Sequence, residues 1–132
     1  MSASLAKIPG ISDWLCGSAV TYREATKSQW LGVSSEDLAS YTAVSEQVVQ
    51  QMAVGVLAKT DEADLAASIT GYLGPSAPQG RDGLIFVGLC RRNESDNTLS
   101  THVLRHRLSQ PGRVARQEEA AGFVLQAVLD FV

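Results

Sequence analysis

Three groups of residues in this chain have the types and spacing to do chemistry. The first is Thr70-Gly71-Tyr72-Leu73-Gly74-Pro75. Glycine lets a backbone approach a ligand closely and take positive φ, and successive N–H groups in such a loop can nest an anion, with the Thr70 hydroxyl added to them. Short Gly-Pro loops also serve as ordinary turns, so both uses stand. The second group is Tyr22 and Lys27, a hydroxyl and an ammonium that can meet on one rim. A partly desolvated lysine can take the proton of a neighbouring nucleophile. The bland alternative is a surface lysine beside a tyrosine that packs its ring and leaves its hydroxyl in water. The third group is His102 and His106 with Arg91, Arg92, Arg105 and Arg107. Histidines four apart on a strand lie about 13 Å from each other, too far to chelate one ion. No metal site is expected there, and the arginines read as a phosphate or subunit contact or as a solvated hairpin face.

The elements that must position these groups follow from periodicity. Ser2 to Ile8 reads as the last turns of a helix closed by Pro9-Gly10. Trp14 to Tyr22 is apolar on both sides of the alternation, as in a strand inside an α/β sheet. A helix is expected from about Arg23 to Trp30, ending at Gly32, and Ser34 with Asp37 three residues on caps a short one. Ser45 caps the clearest helix, with Val48, Val49, Met52, Val56 and Leu57 on one face. Leu65 to Thr70 is a short strand, so the Thr70 loop leaves a strand's carboxyl end, where open α/β sheets bind ligands. Leu84 to Leu89 and Thr98 to Leu108 form a hairpin, and a last helix opens at Pro111 with Val114, Ala121, Val124, Leu125, Val128 and Leu129 as its stripe. This order predicts an α/β fold, a mixed sheet between helical layers.

Composition narrows the setting. A chain of 132 residues, 45% hydrophobic, is read as one domain, 1–132, with a core of its own. A net charge of −3 without charged runs gives no pull toward nucleic acid or an anionic membrane. No stretch reaches the roughly 20 apolar residues that span a bilayer. Met1 to Pro9 lacks the apolar centre of a signal peptide, so a cytoplasmic location is expected. Cys16 and Cys90 sit in apolar runs without metal-type spacing and read as two core thiols.

Several stretches in register resemble the carboxy-terminal domain of the CinA (competence/damage-inducible protein) family. They are Pro9-Gly10-x-Ser12 with Trp14, Val20-Thr21-Tyr22-x-Glu24-Ala25-x-Lys27, Leu31-Gly32-Val33, Ala43-Val44-Ser45-Glu46-x-Val48 with Met52-Ala53-x-Gly55, and Ile69-Thr70-Gly71-x-x-Gly74-Pro75. The strand opening at Gly83 completes the series, which runs from about Leu5 to about Leu89. The resemblance implies a three-layer α/β/α sandwich and hydrolysis of the carboxamide of nicotinamide mononucleotide, giving nicotinic acid mononucleotide and ammonia, with no metal and no cofactor. It implies that Lys27, Tyr22 and Thr70 are catalytic and that Gly71 and Gly74 bind substrate. An arginine near the carboxy terminus, Arg113 or Arg116, is expected to help. The family's nucleophile is a serine in Glu-Ser-x-Thr-Gly-Gly, and these residues contain no such motif.

That departure divides the functional expectation. In one reading the chain is an amidohydrolase domain that starts late, after its nucleophile, and releases no ammonia as it stands. In the other it is a non-catalytic relative that binds a nucleotide-like small molecule or builds an oligomer. An exposed sheet edge and the family's habit of assembling both favour a homo-oligomer. Ser12, in a turn, and Ser18, between Gly17 and Ala19, read as structural serines rather than relocated nucleophiles.

Overall fold

The computed structural model describes residues 1–132. It is an α/β protein in three layers, with the elements α1 (Ser2–Leu5), α2 (Glu24–Leu31), α3 (Ser35–Tyr41), α4 (Glu46–Ala58), β1 (Leu65–Gly71), β2 (Leu84–Arg92), β3 (Leu99–Arg107) and α5 (Arg113–Phe131). The strands form one sheet in the order β1-β2-β3. Both ladders are antiparallel, with Thr70 opposite Phe86 and Phe86 opposite Arg105.

The layering follows from the alternation along β2, which is buried from Leu84 to Cys90. Ile85, Val87 and Leu89 pack with Ala120, Val124 and Ala127 of α5. The intervening side chains turn the other way: Leu84 and Phe86 meet Val49, and Cys90 meets Ala53 and Leu57, all of α4. A strand buried on both faces has to read as a continuous apolar run, and this one does. Full burial of a side chain such as Leu57 or Ile85 contributes about 1.5–3 kcal/mol. α2 and α3 cover the outer side of α4, where Leu31, Val33 and Leu38 close on Val48 and Met52.

The helix boundaries have local causes. The Ser45 hydroxyl accepts from the Val48 N–H at 3.3 Å, and the Ser34 hydroxyl accepts from the Asp37 N–H at 3.2 Å. Each satisfies an N–H that the first helical turn leaves free. Gly32 ends α2 at φ 70°, a left-handed cap. Gly55 faces Leu31 so closely that a Cβ there would overlap the Leu31 carbonyl, so α2 and α4 can cross only over a glycine.

Four expectations need correction. Trp14 to Tyr22 is not a strand: Cys16 to Tyr22 makes no backbone–backbone hydrogen bond and lies outside the sheet. A strand exists through its ladder, and without it the apolar run is left at the surface, with Trp14 85% exposed. The sheet is consequently antiparallel throughout rather than mixed. Cys16, in the same run, is exposed, while Cys90 is the buried core thiol expected. On α5, Val114 and Leu129 are exposed, and Ala120, Val124 and Ala127 form the buried stripe. Leu129 follows Val124 by five residues, about 140° round a helix of 3.6 residues per turn, and so leaves the stripe.

The histidines take up the α5 face of the hairpin. The His106 ring stacks on Phe123 with centroids 4.1 Å apart, and His102 stacks on Phe131 at 6.2 Å. The arginines of the hairpin do not gather into one patch. Arg107 donates to the Asp82 and Gly80 carbonyls, and Arg92 donates to the Leu57 carbonyl.

Candidate active-site rim

The loop from Tyr72 to Gly83 joins β1 to β2 and is pinned at its neck. The Tyr72 N–H donates to the Leu84 carbonyl at 2.9 Å, and the Gly83 N–H donates to the Tyr72 carbonyl at 3.0 Å. Gly74 turns the chain at φ 74°, a conformation that other residues resist. A Cβ on Gly74 would lie 3.1 Å from both an Arg116 guanidinium nitrogen and an Asp82 carboxylate oxygen. Gly71 has a different reason to be glycine: a Cβ there would come within 2.5 Å of the Ile85 side chain. Its role is in strand packing.

The first turns of α5 hold this loop with two arginines. Arg113 donates to the Gly74 carbonyl at 2.9 Å and to the Tyr22 hydroxyl at 3.0 Å. Arg116 grips the Asp82 carboxylate with two parallel bonds of 2.8 Å, donates through Nε to the Gln110 carbonyl at 2.9 Å, and reaches the Leu73 carbonyl at 3.4 Å. A guanidinium suits this work because its planar fork matches a carboxylate edge to edge. The bonds from Arg116 hold the Asp82 carboxyl below its ordinary range, and the nearby Arg107 charge acts in the same direction. Asp82 in turn raises the Arg116 guanidinium. Behind this turn, Glu119 accepts from the Ser109 and Gln110 N–H groups at 3.0 Å, fixing the entry into α5.

Lys27 is buried on the inner side of α2, and its ammonium donates to the Thr21 carbonyl. Burial lowers its pKa, because a charged amine loses solvation there; Glu24 pulls more weakly the other way. The Thr21 hydroxyl is buried without a hydrogen-bond partner. The Thr70 hydroxyl donates to the Ala43 carbonyl at 2.8 Å, tying the end of β1 to the entry of α4.

The sequence-named residues therefore fall into two sets. Tyr22, Gly74 and Arg113 are joined by direct bonds across 91 positions of chain, with Arg116 on the same loop. Lys27 and Thr70 have partners of their own, the Thr21 and Ala43 carbonyls. Sequence reasoning overlooked Asp82, which fastens the loop to α5. The available signal was that Asp82 is the one carboxylate between Gly71 and Gly83.

As an arrangement, this is a rim on which the Arg113 guanidinium, the Arg116–Asp82 ion pair and a tyrosine hydroxyl surround a glycine turn. Arg113 retains donors beyond the two it uses, since a guanidinium has five N–H bonds. Such a rim can take a phosphate, and the lowered amine of Lys27 can take a proton.

Comparison with known proteins shows the family and the fold. The sequence profile of the family described as CinA C-terminal domain matches residues 1–132. A CinA-like protein of Thermotoga neapolitana is 40% identical over 97 residues, covering 72% of this chain and 24% of that protein. A putative competence-damage inducible protein of Clostridium acetobutylicum is 34% identical, covering 100% of this chain and 30% of its own length. The chain thus spans under a third of the curated relatives it matches. Among solved structures, the competence damage-inducible protein A of Klebsiella pneumoniae superposes with a TM-score of 0.86 at 27% identity, over 96% of this chain and 75% of that one. The competence/damage inducible protein of Agrobacterium tumefaciens gives 0.86 at 27%, over 98% and 76%. On the strength of a match along its whole length and a shared fold, this chain belongs to the CinA C-terminal domain family.

Proposed function

We propose that this chain carries the substrate rim of a pyridine-nucleotide amidohydrolase, binding nicotinamide mononucleotide, and that these 132 residues alone do not hydrolyse it. The observation that carries the reading is the bonded set Tyr22–Arg113–Gly74, in which a residue of the amino-terminal third, the β1–β2 loop and the start of α5 converge. Arg113 supplies positive charge for the nucleotide phosphate, Arg116 paired with Asp82 holds the loop in place, and the Gly74 turn lets backbone approach the ligand. Lys27, with its amine pushed toward the neutral form, is the group suited to accept a proton from an attacking hydroxyl. Thr70 lies at the end of β1, where the loop begins.

Amide hydrolysis also needs an attacking nucleophile, and Glu-Ser-x-Thr-Gly-Gly is absent from these residues. Ser12 is exposed beside the Gly10 turn and Ser18 is exposed in the irregular run, and the Lys27 ammonium bonds to the Thr21 carbonyl rather than to either hydroxyl. A lysine can pull a proton from a serine but cannot replace it as the group that attacks the carboxamide carbon. A cytoplasmic setting belongs to the same reading: both cysteines are unpaired, as in a reducing compartment, and no helix is long and apolar enough to cross a membrane.

The test is to incubate the purified chain with nicotinamide mononucleotide, following binding by ligand-observed NMR and ammonia in the same samples. The expected result is saturable binding with no ammonia above the blank. Steady ammonia release would overturn the inactivity, and absence of binding would overturn the rim.

A further inference from the structure

Two arginines take no part in the contacts described above. Arg107, Arg113 and Arg116 all spend donors on loop carbonyls or on Asp82. Arg81, near the end of the β1–β2 loop, and Arg105, two residues before the end of β3, make no side-chain hydrogen bond and no ion pair.

These two guanidiniums line one cavity of about 450 Å³ on the α4 side of the sheet. Val44, Leu84 and Phe86 form its floor and are buried, while Tyr41, 47% exposed, stands at its wall. Arg105 is the direct cross-strand neighbour of Phe86, so its side chain rises beside that ring on the same face of the sheet. Arg81 is fixed through its backbone: its N–H donates to the Pro78 carbonyl at 2.9 Å, and its carbonyl accepts from the Leu84 N–H at 3.1 Å. Arg107 holds the preceding residue by the Gly80 carbonyl. Between two lining residues, Tyr41 and Val44, the chain turns at Thr42 with φ 68°, a conformation that a β-branched residue resists. Glu46 is the one carboxylate on the lining and pairs with neither arginine, so cationic groups are in excess there although the chain carries −3. Met1 packs with the α5 stripe, on the opposite face of the sheet.

We propose that this cavity is a second ligand site, one that takes a phosphate monoester borne on a flat ring. An apolar floor with a few convergent polar groups, in a space of about 300–1,000 Å³, is the usual form of a small-molecule site. Two guanidiniums match the double charge of a phosphate monoester, each able to meet its oxygens with a planar fork of donors. The Tyr41 wall and the Phe86 floor give the ring apolar surface to cover. The arginines are free for this work because nothing within the chain neutralises them. The inference stands apart from the nucleotide reading, since Arg81 and Arg105 make no contact with the rim.

The test is titration of the full 132-residue chain with phenyl phosphate and with inorganic phosphate, followed through backbone amide NMR shifts. The expected result is saturable movement of the Arg81 and Arg105 amides with phenyl phosphate, and affinity at least about tenfold lower for inorganic phosphate. Arg81→Ala and Arg105→Ala should each weaken phenyl phosphate about tenfold or more with circular dichroism unchanged, because neither side chain has a bond within the chain to lose. Arg113→Ala should leave this binding as it is, and Tyr41→Ala should narrow the gap between the two probes. Absence of saturation, indifference to both arginine variants, or loss of binding in Arg113→Ala alone would overturn the site. Equal affinity for the two probes would overturn the ring-bearing ligand.

Discussion

The two helical layers hold the sheet in different ways. On the α4 side, contact is close and sealed: Val49, Ala53 and Leu57 are fully buried, and the Ser68 hydroxyl donates to the Val49 carbonyl at 2.6 Å. A Cβ on Gly88 would stand 2.5 Å from that same carbonyl, so β2 and α4 meet backbone to backbone. On the α5 side a narrower apolar stripe is supplemented by two ring stacks and by the polar clamp of Arg113 and Arg116. The lesson is a division of labour. The α4 layer fixes the fold, and the α5 layer fixes the loop that the fold presents.

The sharpest way to break this comparison is Gly88→Val. It drives a branched side chain into the Val49 carbonyl and should cost more than about 3 kcal/mol, read as loss of the cooperative urea transition. A Gly88 variant of near-native stability would mean that the α4 contact is not the rigid one. Val124→Ala, on the α5 stripe, should cost about 2 kcal/mol and leave α4 in place, seen as selective loss of amide protection in α5 on hydrogen exchange. Equal loss of protection in α4 would erase the distinction.

Smaller effects sharpen it. Asp82→Asn leaves the volume at the clamp almost unchanged and removes the charge that Arg116 grips, so it should weaken nucleotide binding several-fold while scarcely moving the unfolding midpoint. The folded-state pKa of Asp82 is depressed, so the stabilisation is present above the ordinary carboxylate value of about 3.9 and is lost as pH falls through the lowered one. The acid limb of the stability curve should therefore be shallower in Asp82→Asn, and identical limbs would remove Asp82 from the clamp. Smallest is a titration that leaves the fold alone. Acylation of Lys27, followed by peptide mass spectrometry, should reach its plateau below the ordinary lysine value of about 10.4, because burial favours the neutral amine. A plateau at or above that value would return Lys27 to the role of a plain surface cation.

Much of this molecule was legible in its sequence where local chemistry decides the outcome. Ser34, Ser45 and Gly32 announce helix ends because a cap is a short-range hydrogen bond or a single φ. The β2–β3 hairpin shows in a continuous apolar run followed by an alternating one, and the layered α/β fold follows from the order of elements. Trp14 to Tyr22 misled because apolar composition states what a segment would bury, whereas strand formation depends on a partner elsewhere in the chain. Cys16 was misplaced for the same reason, and Leu129 because its place on the helix circumference matters more than its hydrophobicity. At the rim, Tyr22, Gly74 and Arg113 could be named from motif and resemblance. Their mutual bonds, and the part of Asp82, arise from contacts across 34 to 91 positions that no local pattern encodes.

The most direct test of the account is calorimetric titration of nicotinamide mononucleotide into the parent chain and into Arg113→Ala. Arg113 ties Tyr22 to Gly74 from an exposed position, so its truncation should leave the unfolding midpoint almost unchanged while weakening binding by about tenfold or more. Equal affinity in the two proteins, with both folded, would contradict the assignment of this cluster as the nucleotide rim.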